Sequence, residues 1–264
     1  MILFFGYLNY GNFGDDLLLE LAREDIQDFK TLSSKNSIKE HFSFLTESSE
    51  LVLLGGLFQD QTSLRSSFYY ATIVLLAKLF GKKINFLATG IGPLENSFTK
   101  SITKASYQIG DKVSVRDKYS SDFLKEAQIK HQLVPDLALD FNYDETKVDK
   151  EKMPSESFDI ISINPFLSPI TAKQSPHTTL EIICEINQKP STKNFIYTKD
   201  FNPHELIYLL RHHCKSLVTQ RFHLAILAKL AGIEYSTTND CHKVIQLLHP
   251  HPGQSCSSKD SIIT

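Results

Sequence analysis

The residues best placed to do chemistry sit in the stretch VTQRFHLAILAKLAG, numbered 218–232. Arg221 and His223 fall at the junction of an apolar strand and an apolar helix. A fixed guanidinium, an imidazole and the positive end of a helix would converge there, which suits binding an anion and moving a proton. A second reading, in which His223 only caps the helix, is equally compatible with the spacing. Arg116 and Asp117 stand at the end of another short strand, in KVSVRDKYSSDFL. Arg116 could present a fork to a carboxylate or phosphate. Spacing alone leans toward a local Arg–Asp pair with Asp117 capping the next helix.

Three glycine-bearing loops add candidate binding positions. The first, GYLNYGNFGDD, leads into a helix whose first turn holds Asp15 and Asp16. Either these acids cap the helix and complement its dipole, or the loop lets the backbone and Asn12 approach a hydroxyl-rich ligand. Spacing alone leans toward capping, because first-turn acids are common. In the second, Gly55 and Gly56 follow a buried strand, and Gln59, Asp60, Thr62, Ser63 and Arg65 crowd the next turn. That polar density exceeds what a turn requires, although Thr62 or Ser63 could also cap the following helix. The third is GIGP, with Gly90 and Gly92 leaving a strand and able to admit a ligand or the next loop. None of these matches GxGxxG or the phosphate loop of nucleotide-binding proteins. Most of the ten histidines lie between His204 and His251. His212–His213 and His249–Pro250–His251 lack the facing i, i+4 pair of a zinc site, so no metal is expected.

The elements that must carry these loops follow an alternation of short apolar runs and helical patterns, the mark of βαβ units with a parallel sheet buried on both faces. In the first half the pattern predicts strands at Ile2–Phe5, Glu50–Leu54, Ile84–Ala88 and Val113–Val115. It predicts helices from about Asp15, over Leu64–Phe80, Phe98–Ile109 and Lys118–Ala127. The charged, proline-broken stretch 143–157 reads as a linker between a domain of residues 1–142 and a smaller one of 158–248. In that second domain strands are predicted at Phe158–Ile163, Asn194–Tyr197 and Ser216–Thr219. Helices are predicted near Thr178–Asn187, from Asn202 with Pro203 in its first turn, over Phe222–Ala231 with Gly232 ending it, and over Lys243–Leu248. Residues 249–264 read as a frayed tail. The fold class expected is α/β, with two Rossmann-like layers and an abbreviated second domain. Ligands of such folds bind at the carboxyl ends of strands, in the cleft between domains.

Composition narrows the partners. The 264 residues carry 28 Lys+Arg against 30 Asp+Glu, a net charge of −2. No basic excess exists to hold a nucleic acid. Four cysteines without CxxC spacing read as reduced thiols of a cytoplasmic protein. The N-terminus lacks the basic flank of a signal peptide, and Tyr69–Phe80, the longest apolar run, is too short to span a bilayer.

In this order, GYxxxGNxGDD, GGLFQDQTSLRSSFYY, GIGP, VRDxxS, PDLAL, RFHLAILAKLAG and DCHKV resemble the polysaccharide pyruvyl transferase family, most closely its bacterial cell-wall branch. The resemblance runs nearly unbroken over residues 1–140 and resumes over about 216–248. It implies two Rossmann-like domains facing a cleft, similar in fold to the glycosyltransferase-B enzymes. It also implies transfer of the pyruvyl group of phosphoenolpyruvate to two sugar hydroxyls as a ketal. By this resemblance Arg116 and Arg221 grip the carboxylate and phosphate, His223 is the acid/base, and Lys243 is a further phosphate contact. Asn12, Asp15, Gln59 and Asp60, with the backbone at Gly55, Gly56 and Gly92, face the acceptor. Phosphoenolpyruvate is then a co-substrate, and neither metal nor other cofactor is implied. The acceptor is a cell-surface glycan or its lipid-linked precursor, met from the cytoplasmic side with at most a peripheral membrane contact. Where the family carries a YDPK-like segment this chain has NDCHK, and Leu54 replaces the first of three glycines. A nucleotide-sugar glycosyltransferase and a non-catalytic sugar- or anion-binding protein are the alternatives.

Overall fold

The computed structural model describes residues 1–8, 12–24, 26–60, 64–155, 157–162, 179–182, 195–196 and 201–237. The chain forms two compact units. The first comprises Met1–Asn9 and Leu18–Asp140, the second Tyr10–Leu17 and Phe141–Pro252. Each carries its own sheet, and every described strand pair is parallel.

In the first unit the strands are β1 (Ile2–Phe5), β2 (Phe29–Leu32), β3 (Glu50–Leu53), β4 (Gly56–Phe58), β5 (Lys83–Ile91), β6 (Lys112–Val115) and β7 (Gln132–Leu133). Their order is β2-β1-β3-β5-β6-β7, with β4 also paired to β5. The helices are α1 (Phe13–Ala22), α2 (Ile38–Glu47), α3 (Leu64–Leu79), α4 (Ser97–Gln108) and α5 (Lys118–Glu126). The unit boundary falls inside α1, between Leu17 and Leu18. Strands buried on both faces need apolar side chains at successive positions, and Leu3-Phe4-Phe5 and Leu51-Val52-Leu53 supply them. Leu3, Phe5, Leu51 and Leu53 pack with Tyr70, Ile73, Val74 and Ala77 of α3 and Leu124 of α5. Phe86 of β5 stacks on Tyr107 of α4 at 4.0 Å between ring centres.

The sequence pattern does not show β2, β4, β7 or α2. FKTL is a short strand with little alternation, but α2 announces itself through SIKE. Ser37 accepts from the Glu40 N–H, and the Glu40 carboxylate accepts from the Ser37 N–H, a full capping box. Helix α1 begins at Phe13, two residues before the expected start, because Asn12 caps it: Asn12 Oδ1 accepts from the Gly14 N–H.

The second unit holds β8 (Phe158–Ser162), β9 (Thr179–Ile182), β10 (Phe195–Ile196), β11 (Cys214–Thr219) and β12 (Tyr235–Ser236), in the order β10-β9-β8-β11-β12. Segment 179–182 is therefore a strand where a helix was expected. TLEI is a four-residue segment with apolar Leu180 and Ile182, too short for periodicity to assign, and pairing with β8 and β10 decides it. The helix expected at 243–248 and the tail lie outside the described residues.

Helix α6 (Pro203–His213) starts as its sequence predicts. Asn202 and Glu205 form a capping box with Pro203 at the first helical position. Helix α7 (Phe222–Ala231) ends at Gly232, whose φ of 71° is the left-handed conformation that glycine adopts without a Cβ clash. The two helices pack against each other, and Leu206, Ile207, Leu210, Leu224 and Leu227 are all buried.

The charged stretch 143–157 is not a bare tether. Two short 3₁₀ turns, capped by Asp144 and Asp149, anchor it to α6. The Asp149 N–H and Lys152 Nζ both donate to the buried Glu205 carboxylate, and the Asn202 side chain donates to the Lys147 carbonyl. Polar anchors replace the apolar periodicity that the pattern lacked.

One anchor carries a pH dependence. The Asp144 N–H donates to His204 Nδ1 at 3.0 Å, so the fold uses the neutral ring, tilted against Phe141. Burial, reinforced by Lys147 and opposed by Asp144 and Glu205, holds the His204 imidazole below its ordinary 6.5. The unfolded chain then binds the proton more readily. Stability is full above about pH 6.5 and falls as the pH drops through that value toward the lowered folded one. Urea midpoints at about pH 7.5 and 5.5 should show this loss, and His204→Gln should flatten it. An equal loss in the variant would place the dependence elsewhere.

Candidate active site

In the second unit, β8 lies beside β11 while β9 and β10 extend to the other side of β8, so the strand order reverses between β8 and β11. Ligands of open α/β sheets bind outside the carboxyl ends of strands at such a point. β11 delivers Thr219 there, followed by Gln220 and Arg221. Thr219 Oγ1 accepts the Arg221 N–H at 2.9 Å, which fixes the turn into α7. Arg221 is the residue before the helix and makes no side-chain cap. His223 is second in the helix, so the capping reading does not describe it.

The N-terminus of α1 meets the same point within this unit. A Cβ built on Gly14 would lie 1.9 Å from His223 Nδ1 and 2.5 Å from its Cγ. The imidazole therefore rests directly on the Gly14 backbone, which only a glycine allows. Two helix N-termini, each ten residues long, converge on one imidazole with Arg221 one turn-residue away. Both dipoles place partial positive charge here, and their first N–H groups lack intrahelical acceptors. Beside them Asn12 Nδ2 donates to Asp15 Oδ2 at 2.7 Å, and Asp15 is buried. Asn12 thus does the capping that spacing gave to the acids, and Asp15 orients it. Gly14 is the residue that sequence reasoning passed over. Its signal was a glycine within the first turn of a helix, where helix propensity disfavours it.

The first-unit candidates gather at the carboxyl ends of β3, β5 and β6. The Gly90 N–H donates to the Gly55 carbonyl at 3.0 Å and the Gly92 N–H to the Phe58 carbonyl at 2.6 Å, and Gly92 lies against the Tyr119 ring. These glycines bring strand exits together. Gln59 accepts from Ser67 through its carbonyl. Both Asp60 oxygens accept from the Glu95 and Asn96 N–H groups, which fixes the loop entering α4. Asp117 caps α5 by accepting from the Ser120 N–H at 2.8 Å, as spacing suggested. Arg116 pairs with Asp136, twenty residues on, at 2.7 Å, with both side chains buried, a partner that local spacing did not show. Gly90 leaves room for that guanidinium, since an added Cβ would sit 3.0 Å from Arg116 Nε. Tyr107 and Thr89 share a buried hydrogen bond nearby, and burial pushes the Tyr107 hydroxyl well above its ordinary range. Lys243, Thr62 and Ser63 lie outside the described residues.

A family model described as polysaccharide pyruvyl transferase matches residues 7–234. The chain belongs to the polysaccharide pyruvyl transferase family. A comparison with curated proteins finds no match. The match to the polysaccharide pyruvyl transferases spans both units, from the loop before α1 to the end of the turn after α7. Gly14, Arg116, Arg221 and His223 all fall within it.

Proposed function

We propose that this pyruvyl transferase uses phosphoenolpyruvate as donor and forms a pyruvate ketal on two hydroxyls of a cell-surface glycan or its lipid-linked precursor. The observation that carries the reading is the meeting of the α1 and α7 N-termini at the His223 imidazole, with Arg221 the residue that enters α7. Phosphoenolpyruvate is a small dianionic ester whose methylene carbon must gain a proton. His223 as imidazolium donates that proton, which converts the methylene to a methyl and leaves positive charge at the neighbouring carbon. One sugar hydroxyl attacks that carbon and a second displaces phosphate, each losing its proton to a base. The neutral imidazole left by the first step serves as base for one of them. Arg221 and the helix N-termini hold the phosphate, and Lys243 is assigned beside them. Arg116, aimed by Asp136, is assigned to the carboxylate. Asn12, Asp15, Gln59 and the backbone at Gly55, Gly56 and Gly92 are assigned to the acceptor, with Asp60 shaping its loop.

In the same reading the two parallel sheets are the Rossmann-like domains of a glycosyltransferase-B-like enzyme, the second one short. Phosphoenolpyruvate is a cytoplasmic metabolite, so the reaction is placed on that side. Purified protein with phosphoenolpyruvate and a panel of glycan acceptors should release phosphate, and phosphoenolpyruvate alone should raise the thermal midpoint. A midpoint raised by a nucleotide sugar and not by phosphoenolpyruvate would make it a glycosyltransferase. A rise with phosphoenolpyruvate but no turnover on any acceptor would make it a binding protein.

A further inference from the structure

Helix α3 is apolar on two opposite sides. Its inward face, Tyr70, Ile73, Val74 and Ala77, is buried in the core of the first unit. On the outward side Leu64, Phe68, Leu75 and Leu79 stand 52–75% exposed. At about 100° per residue these four fall within an arc of about 60°. That is one continuous stripe along the helix. Phe80, just past its end, is exposed too and meets Phe42 of α2 edge to face. A surface helix of an isolated globular protein carries polar residues on this side.

The charges that α3 itself carries are of one sign. Arg65 and Lys78 flank it on either side by the same helical geometry, Lys78 in a half-exposed pair with Asp111. Residues 64–83 add Lys82 and Lys83 and contain no acid, and the neighbouring α4 carries Lys100, Lys104 and exposed Phe98, also without an acid. In a chain of net charge −2 this is a local cationic field around an apolar ridge. Among the described residues no helix is long and apolar enough to cross a membrane. Sixteen residues make a helix about 24 Å long, suited to lying in an interface.

We infer that the outer face of α3 docks on an anionic lipid surface. The apolar ridge enters the headgroup boundary while Arg65 and the lysines beside it meet lipid phosphates. This surface is independent of the pyruvyl-transfer reading and needs neither donor nor acceptor. The full chain should sediment with vesicles of phosphatidylglycerol and phosphatidylcholine, and much less with phosphatidylcholine alone. Raised salt should weaken the binding. Phe68→Glu with Leu75→Glu should weaken it at least about tenfold, at an unchanged thermal midpoint because both side chains are exposed. Arg65→Glu should weaken it by a smaller factor and supplies a second variant should the double one fold poorly. Equal binding to neutral vesicles, or full binding by these variants, would overturn the inference. So would a dimer by light scattering that the double variant splits while vesicle binding persists, since a second copy would then be what covers the ridge.

Discussion

Asp136→Ala is expected to lower the unfolding free energy by about 3–5 kcal/mol, the range for stranding one member of a buried ion pair. Asp136 holds Arg116 Nη1 at 2.7 Å, and both side chains are almost wholly removed from solvent. Its other oxygen accepts from the Ala138 N–H, so the alanine variant also frees a buried donor. Chemical denaturation with a two-state fit would measure the loss. The double variant Arg116→Met, Asp136→Leu should recover much of it, because apolar residues of similar volume need no partner. The same variant separates two roles of Arg116. If the double variant regains stability but not phosphate release, Arg116 acts on the donor. If it regains both, the guanidinium serves only to join β6 to the turn. A single variant as stable as the wild type would show that the pair is not the anchor its burial indicates.

The second large effect is expected on activity. Gly14→Ala puts a methyl where His223 Nδ1 now sits, and the side chain that can yield is the imidazole itself. The fold should survive, with a modest change in midpoint, while phosphate release drops on the order of a hundred-fold or more, the scale of losing a positioned general acid. His223→Ala should reach the same floor. The double variant should fall no further than either single one, because both remove the same group from the same place. Gly14→Ala at full turnover would mean that the imidazole has no part in the chemistry.

Much of this site was legible in the residues. The strand, the Arg-x-His junction and the Gly232 stop of α7 all follow from local pattern, and the structure places each as read. So does α6, whose Asn202, Pro203 and Glu205 spell out its start. What pattern could not supply is pairing between distant segments. Asp136 as the partner of Arg116 has no local signature, since twenty residues separate them and the sheet brings them together. The Gly14 contact joins positions 209 apart. Asp60, a candidate from the polar density of its turn and from the resemblance, holds two backbone N–H groups of the loop before α4, which spacing does not show. β9 has no local signature because four residues with only Leu180 and Ile182 apolar suit either periodicity, and only the neighbouring strands choose.

The unit boundaries bear on how the chain can be dissected. The second unit is not a contiguous piece: besides Phe141–Pro252 it takes in Tyr10–Leu17. A fragment starting at residue 141 would keep Arg221 and His223 but leave behind the Gly14 backbone that seats the imidazole and the Asn12-capped helix start beside it. The seat of His223 is stitched from segments far apart in the sequence. Splitting the gene at the apparent domain border would therefore separate the histidine from its seat, and circular permutation that keeps 10–17 attached would not.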